Sequence, residues 1–183
     1  MESAFFTLTL FLAVSVCLFS LSWKSLRTPG SHGFYRFFAW EAIIALILFN
    51  SQAWFADPLS ATQIVSWCFL AFSLVLLERG LHILRRAGSM RYDETLLPFE
   101  KTTVLVTTGI YRHIRHPLYG SLLFLAWGAF LKEASPLSTG LVAVATVSLL
   151  ATAKADEAEC VRYFGQSYRD YMRKSKMFIP YLF

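Results

Sequence analysis

Residues 3–23 read SAFFTLTLFLAVSVCLFSLSW and carry no formal charge. A helix needs about 20 predominantly apolar residues to cross a hydrocarbon core, so this stretch is long enough to span a membrane. Glu2 stands where a signal peptide would carry basic residues, and no small-x-small cleavage site precedes Lys24. The stretch is therefore expected to be a retained span. Composition agrees. Of 183 residues, 56% are hydrophobic and 16% charged, with a mean hydropathy of +0.49, whereas a soluble domain carries roughly 25% charged residues. Nine Gly, six Pro and three Cys exclude collagen-like, disordered and disulfide-scaffold classes.

Working outward, Phe37 to Ala56 is a second apolar stretch, interrupted only by Glu41 and Asn50, and Pro58 to Leu77 a third. Asp57-Pro58 predicts a tight turn that makes these two an antiparallel hairpin. A polar, basic segment runs from Glu78 to His116, followed by shorter apolar stretches at Pro117 to Leu131 and Pro136 to Ala153. Lys132 to Pro136 reads as the turn of a second helical hairpin. Its first arm is short, as tolerated where irregular backbone lines a protein cavity. The fold class expected is an all-α integral membrane protein of about five spans, forming one domain over 1–183. Residues 1–78 supply three N-terminal spans, and 79–183 the polar motifs, the hairpin and a C-terminal amphipathic helix.

The net charge is +5, and 17 residues are Lys or Arg. Such a balance suits either a nucleic-acid surface or the cytoplasmic rim of a membrane protein. Placement decides between them. Lys24, Arg27 and Arg36 follow the first span. Arg79, Arg85, Arg86, Arg91, Lys101, Arg112 and Arg115 lie in the long polar segment, and Lys154, Arg162, Arg169, Arg173, Lys174 and Lys176 in the tail. Only Lys132 falls on the opposite side. The positive-inside rule then sets the N-terminus outside and the C-terminus in the cytoplasm, and no nucleic-acid partner is expected.

Two segments concentrate the polar chemistry. Val104 to Val106 is a short apolar run, Gly109 permits a turn, and Arg112-His113-Ile114-Arg115-His116-Pro117-Leu118-Tyr119 leads into the fourth span. Pro117 presets the first helical turn and holds His116 just outside it. The N–H groups of that helix start, with Arg115 and His116 beside them, suit a polar or anionic ligand. Position alone equally allows interfacial anchors, with Tyr111 and Tyr119 in an aromatic belt. In the second segment, Asp156 and Glu157 lie about one turn beyond the hydrocarbon edge. Val161, Phe164, Tyr168 and Tyr171 follow at helical spacing, with Gly165 as a cap. Either acid can pair with Arg115 or with a cationic ligand, and spacing does not choose. Glu41 is a functional candidate as an acid within a span, or a local partner for Arg36. Cys17, Cys68 and Cys160 show no ligand or redox spacing, and the sequence shows no metal cluster, Gly-rich phosphate loop or local Ser/His/Asp arrangement.

Taken together, Leu105-Val106-x-x-Gly109-x-Tyr111, Arg115-His116-Pro117-x-Tyr119, and Asp156-Glu157 followed by Phe164-Gly165-x-x-Tyr168-x-x-Tyr171 resemble the isoprenylcysteine carboxyl methyltransferase family, whose relatives include membrane phospholipid N-methyltransferases. The resemblance covers Thr103 to Pro180. It implies an enzyme that binds S-adenosyl-L-methionine on the cytoplasmic side and methylates a lipophilic acceptor from the bilayer. The residues implied at the cofactor are Thr103, Val104, Leu105, Val106, Gly109, Tyr111, His116, Pro117, Leu118, Tyr119, Asp156 and Glu157, with Arg115 and Glu157 in positioning roles and no general base. The family's carboxyl methyltransferases place a substrate-binding Arg four residues before the first acid. Here that position is Thr152, so a thiol, amine or lipid head group becomes a more plausible acceptor than a carboxylate. The helical hairpin and aromatic tail are also similar to membrane sterol reductases that use NADPH, and a non-catalytic adaptor for anionic lipid is the remaining alternative.

Overall fold

A computed structural model describes residues 2–87 and 103–180. Arg91 and Lys101, counted above among the cations of the polar segment, lie outside the described residues. The described part is helical: α1 (Glu2–Leu26), α2 (His32–Phe49), α3 (Ala61–Ala87), α4 (Pro117–Phe130), α5 (Pro136–Phe164) and α6 (Gln166–Lys174), with 3-10 turns at Ser51–Ala53 and Gly109–Arg112. No strand occurs among the described residues. One isolated parallel bridge joins Ile114 to Lys176. Four helices, α1, α2, α3 and α5, are long and apolar enough to cross a membrane. With 14 residues, α4 is about 21 Å long at 1.5 Å per residue, short of a hydrocarbon core of about 30 Å.

Helix ends depart from the expected ones for local reasons. The second apolar stretch runs from Phe37 to Ala56, but α2 starts at His32 because the Ser31 hydroxyl accepts the Phe34 N–H (3.2 Å) as an N-cap. It stops at Phe49 because Asn50 turns its amide across the bundle, donating to the carbonyls of Ala129 (2.9 Å) and Glu133 (3.2 Å). The third stretch was ended at Leu77, yet α3 runs to Ala87. Glu78 and Arg79 point outward, while the inward stripe of Gln63, Ser66, Leu70, Ser73, Leu76 and Gly80 keeps helical spacing past them. At Asp57 the backbone takes a positive φ of 42°, and its carbonyl accepts the Ser60 N–H (2.9 Å).

Packing follows two close helix pairs, α3 on α4 and α2 on α5, while α1 lies on α2. The core joins Ala39, Ala42, Ile43 and Leu46 of α2 to Ala126 and Ala129 of α4 and to Val142, Ala145, Leu149 and Ala153 of α5. Small residues let α3 and α4 approach closely. The Ser66 hydroxyl donates to the Gly128 carbonyl (2.7 Å) and that of Ser73 to the Ser121 carbonyl (2.7 Å), as at helix contacts in membranes. At the end where α4 meets α5, Lys132 donates to Gln63 Oε1 (2.9 Å) and sits 3.3 Å from the centre of the Trp67 ring. Ser135 and Ser138 form a capping box ahead of α5. Outside this framework, Phe5, Val16, Leu21, Leu74 and Val147 are exposed, an apolar exterior suited to lipid.

Candidate active site

The site forms where residues 104–119 meet the last turns of α5, α6 and the tail beyond it. Gly109 makes the turn possible. Its φ is +60°, and a Cβ there would collide with Ile83 Cδ1 of α3, so only glycine fits both the conformation and the space. After the 3-10 turn, Pro117 opens α4 and His116 takes the N-cap position. The expected ligand-facing N–H groups beside it are partly taken by the chain itself. The Arg115 N–H donates to the Lys176 carbonyl (2.7 Å) and that of His116 to the Met177 carbonyl (3.1 Å), while the Lys176 N–H returns to the His113 carbonyl (3.0 Å). This tail strap ends in Phe178, which is 1% exposed and lies edge-on to the His116 ring at 6.2 Å.

Neighbours in sequence, Asp156 and Glu157 occupy different surroundings. Glu157 Oε1 accepts from Arg115 Nε at 2.7 Å and lies 3.4 Å from His116 Nε2. Arg115 Nη1 donates to the carbonyls of Met172 (3.2 Å) and Ser175, so one guanidinium ties the acid to the strap. Asp156 Oδ2 lies 3.4 Å from His116 Nδ1, and the Cys160 thiol donates to Oδ1 at 3.6 Å. His116 thus has a carboxylate at each ring nitrogen and stacks on Tyr119 at 5.5 Å. Burial disfavours its charge, but the hydrogen bonds and charges of Asp156 and Glu157 outweigh that and raise its pKa above 6.5.

A cleft of about 120 Å³ opens beside Asp156. Val104, Leu105, Val106, Tyr111, His116, Pro117, Leu118, Tyr119 and Asp156 line it, as does Arg115. Three other residues expected at the cofactor are not among the lining residues. Thr103 is exposed, Gly109 packs under Ile83, and Glu157 braces Arg115 and His116. The lining also includes Leu84, Cys160, Phe164, Tyr168 and Tyr171, which were not singled out for it. Leu84 follows from the continued stripe of α3, and Cys160 from its place one turn after Asp156. Gly165, at φ +61°, separates α5 from α6 and turns Tyr168 and Tyr171 back towards the cleft.

The tyrosines remain neutral phenols. Burial, with Tyr171 and Asp156 adding to it, raises Tyr111. Burial also raises Tyr168, and it pushes Tyr171 up to about 12 against the opposing effects of Ser175 and Arg115. The Tyr171 hydroxyl donates to the Tyr111 carbonyl (2.5 Å). One carboxylate facing several aromatic rings suits a cationic ligand with an apolar or aromatic portion. Thr152 is 0% exposed and its hydroxyl donates to the Ser148 carbonyl (2.7 Å). Sequence reasoning missed the pairing of Glu159 with His32 across α5 and α2 (2.8 Å to Nδ1), because no local signal joins residues so far apart. Glu41 accepts from Ser15 of α1 at 2.6 Å. No cluster of metal-ligating side chains occurs among the described residues.

Residues 67–167, which include residues 104–119 and the acidic pair of this site, match the family model of the phospholipid methyltransferases. The chain belongs to that family. It is 25% identical over 184 residues to methanethiol S-methyltransferase 1 of Bradyrhizobium diazoefficiens, covering 96% of this chain and 54% of that one. It is 23% identical over 154 residues to methanethiol S-methyltransferase of Crocosphaera subtropica (74% and 60%). Over 81 residues it is 33% identical to protein-S-isoprenylcysteine O-methyltransferase of Schizosaccharomyces pombe (44% and 34%). The chain thus spans little more than half the length of the two methanethiol methyltransferases. These relatives bear out the resemblance drawn from the motifs.

Proposed function

We propose that this member of the family binds S-adenosyl-L-methionine in the cleft beside Asp156 and transfers its methyl group to a lipophilic acceptor arriving from the bilayer. The observation that carries the reading is the pairing of one cleft-facing carboxylate with tyrosine rings from both motif segments. When bound, the cofactor supplies an electrophilic methyl group on a positively charged sulfur. Asp156 holds cationic charge in the cleft, and the faces of Tyr111, Tyr119, Tyr168 and Tyr171 favour it further. With a carboxylate at each nitrogen, His116 does not serve as a general base. It orients Asp156, while Arg115 and Glu157 hold His116 and the strap in register. Methyl transfer depends chiefly on alignment, which a braced site provides.

A thiol acceptor is favoured over a carboxylate. Thr152 offers no cation where a carboxylate would need one, and two of the relatives are named as methanethiol methyltransferases. The reading takes the whole chain as one domain with five spans, α4 included, and its cation-rich end in the cytoplasm.

Titrating the purified protein in nanodiscs with S-adenosylmethionine, its demethylated product and NADPH tests the assignment. Saturable binding of the first two is expected, weakened by about 1–3 kcal/mol in Asp156→Asn, the range for a lost charged hydrogen bond. Binding of NADPH alone would place the protein among reductases, and no binding of any of the three would leave an adaptor.

A further inference from the structure

Behind the tyrosines lies a second cleft, with a volume of about 520 Å³. Arg112 and His113 form one wall. Ser167, Asp170 and Lys174 form the other, and Tyr171 stands between this cleft and the first, lining both. Positions 167, 170, 171 and 174 recur at steps of three, one and three, so they share one face of α6.

The cleft is basic in effect as well as in composition. Neither Arg112 nor Lys174 has an acidic partner among the described residues, and both are exposed. The acid of the cleft, Asp170, already accepts from Gln166 Nε2 (2.9 Å) and Arg173 Nη1 (3.4 Å). Ser167 adds a hydroxyl beside the start of α6, which has no side-chain cap and so offers free N–H groups and the positive end of its dipole. Guanidinium, ammonium, hydroxyl and backbone N–H donors around a cavity are the donor set for a phosphate oxyanion.

We propose that this cleft is a phosphate site, for a phosphate carried by a lipid head group or free in solution. The site is distinct from the methyl-donor cleft and does not depend on which donor binds there. Tyr171 joins the two. Its ring forms a wall of each, its hydroxyl holds the Tyr111 carbonyl, and its own carbonyl accepts the Ser175 hydroxyl (2.8 Å). An occupant of the second cleft therefore bears on a residue of the first.

The test uses the full chain in phosphatidylcholine nanodiscs with 3-fluorotyrosine incorporated, the Tyr171 resonance being assigned by its loss in Tyr171→Phe. Dihexanoyl phosphatidic acid and inorganic phosphate are titrated separately. A saturable shift of Tyr171 with phosphatidic acid is expected. It should be weakened about tenfold in Arg112→Ala and in Lys174→Ala, and changed less than about twofold in Arg162→Ala, whose exposed cation lies outside the cleft. Saturation by phosphatidic acid alone supports the lipid head group. An equal response to inorganic phosphate supports the phosphate site but removes the lipid as its source. A shift that never saturates with either ligand, or equal weakening by Arg162→Ala, overturns the site and leaves only diffuse attraction to a basic surface. Because the readout needs no methyl donor, its failure would say nothing against the methyltransferase reading.

Discussion

At the scale of single residues, the acidic pair is the most instructive feature. Adjacent residues on a helix point about 100° apart, so Asp156 faces the cleft while Glu157 is enclosed by Arg115 and His116. His116 stands between the two acids, and its raised pKa makes its contribution depend on pH. A group held more basic in the folded than in the unfolded chain adds stability that is complete below its unfolded value. That stability is lost as pH rises through the folded value. The unfolded value is 6.5 and the folded one lies above it. The thermal midpoint of the protein in nanodiscs should therefore fall as pH increases from about 6.5 upward, and less steeply in His116→Gln. Parallel slopes in the two proteins would contradict a structural charge on His116.

At the scale of elements, hydropathy located the helices but misplaced their ends, and the reasons are physical. Glu78 and Arg79 look like a boundary in sequence, yet they occupy only the outer face of α3. The inner face is carried by small residues at Ser66, Ser73 and Gly80, which hydropathy does not register. Those residues matter through what they leave out. A Cβ on Gly128 would lie 2.8 Å from Leu70 Cδ2 and 3.3 Å from the Leu70 backbone nitrogen. Gly128→Val should cost about 1–3 kcal/mol in a detergent-unfolding titration, as overpacked contacts do. Leu70→Ala in the same chain should recover part of it. No loss in Gly128→Val would mean that α3 and α4 are not held this closely. The start of α2 is set by the Ser31 cap, a polar signal that hydropathy does not register, and the burial of His32 beside it rests on Glu159, a partner more than a hundred residues away.

For the whole molecule, charge placement was the most readable signal and leads to a direct test of the proposed sidedness. With Cys17, Cys68 and Cys160 replaced by Ser, a membrane-impermeant maleimide should label Glu133→Cys in intact cells. Arg169→Cys should be labelled only after permeabilisation. The reverse pattern would invert the topology argued from the positive-inside rule. The site was legible as three motifs in a fixed order, since nine of the twelve residues expected at the cofactor line the cleft. The strap was not legible. Its contribution is made by main-chain carbonyls at Lys176 and Met177, and backbone groups leave no trace in side-chain identity. In the structure the burial of Ser175, Met177 and Phe178 marks it.

That strap also sets a schedule for the chain during its synthesis. Arg115 and the residue whose carbonyl it binds, Ser175, are 60 positions apart, an interval of roughly 3–12 s at translation rates of about 5–20 residues per second. Until Ser175 to Phe178 emerge, His116 and Arg115 lack the backbone that fixes them. A chain interrupted before that point could still thread its apolar helices into the bilayer, but Arg115 and His116 would stand unbraced. Emergence of residues 175–178 thus completes the bracing of Arg115 and His116.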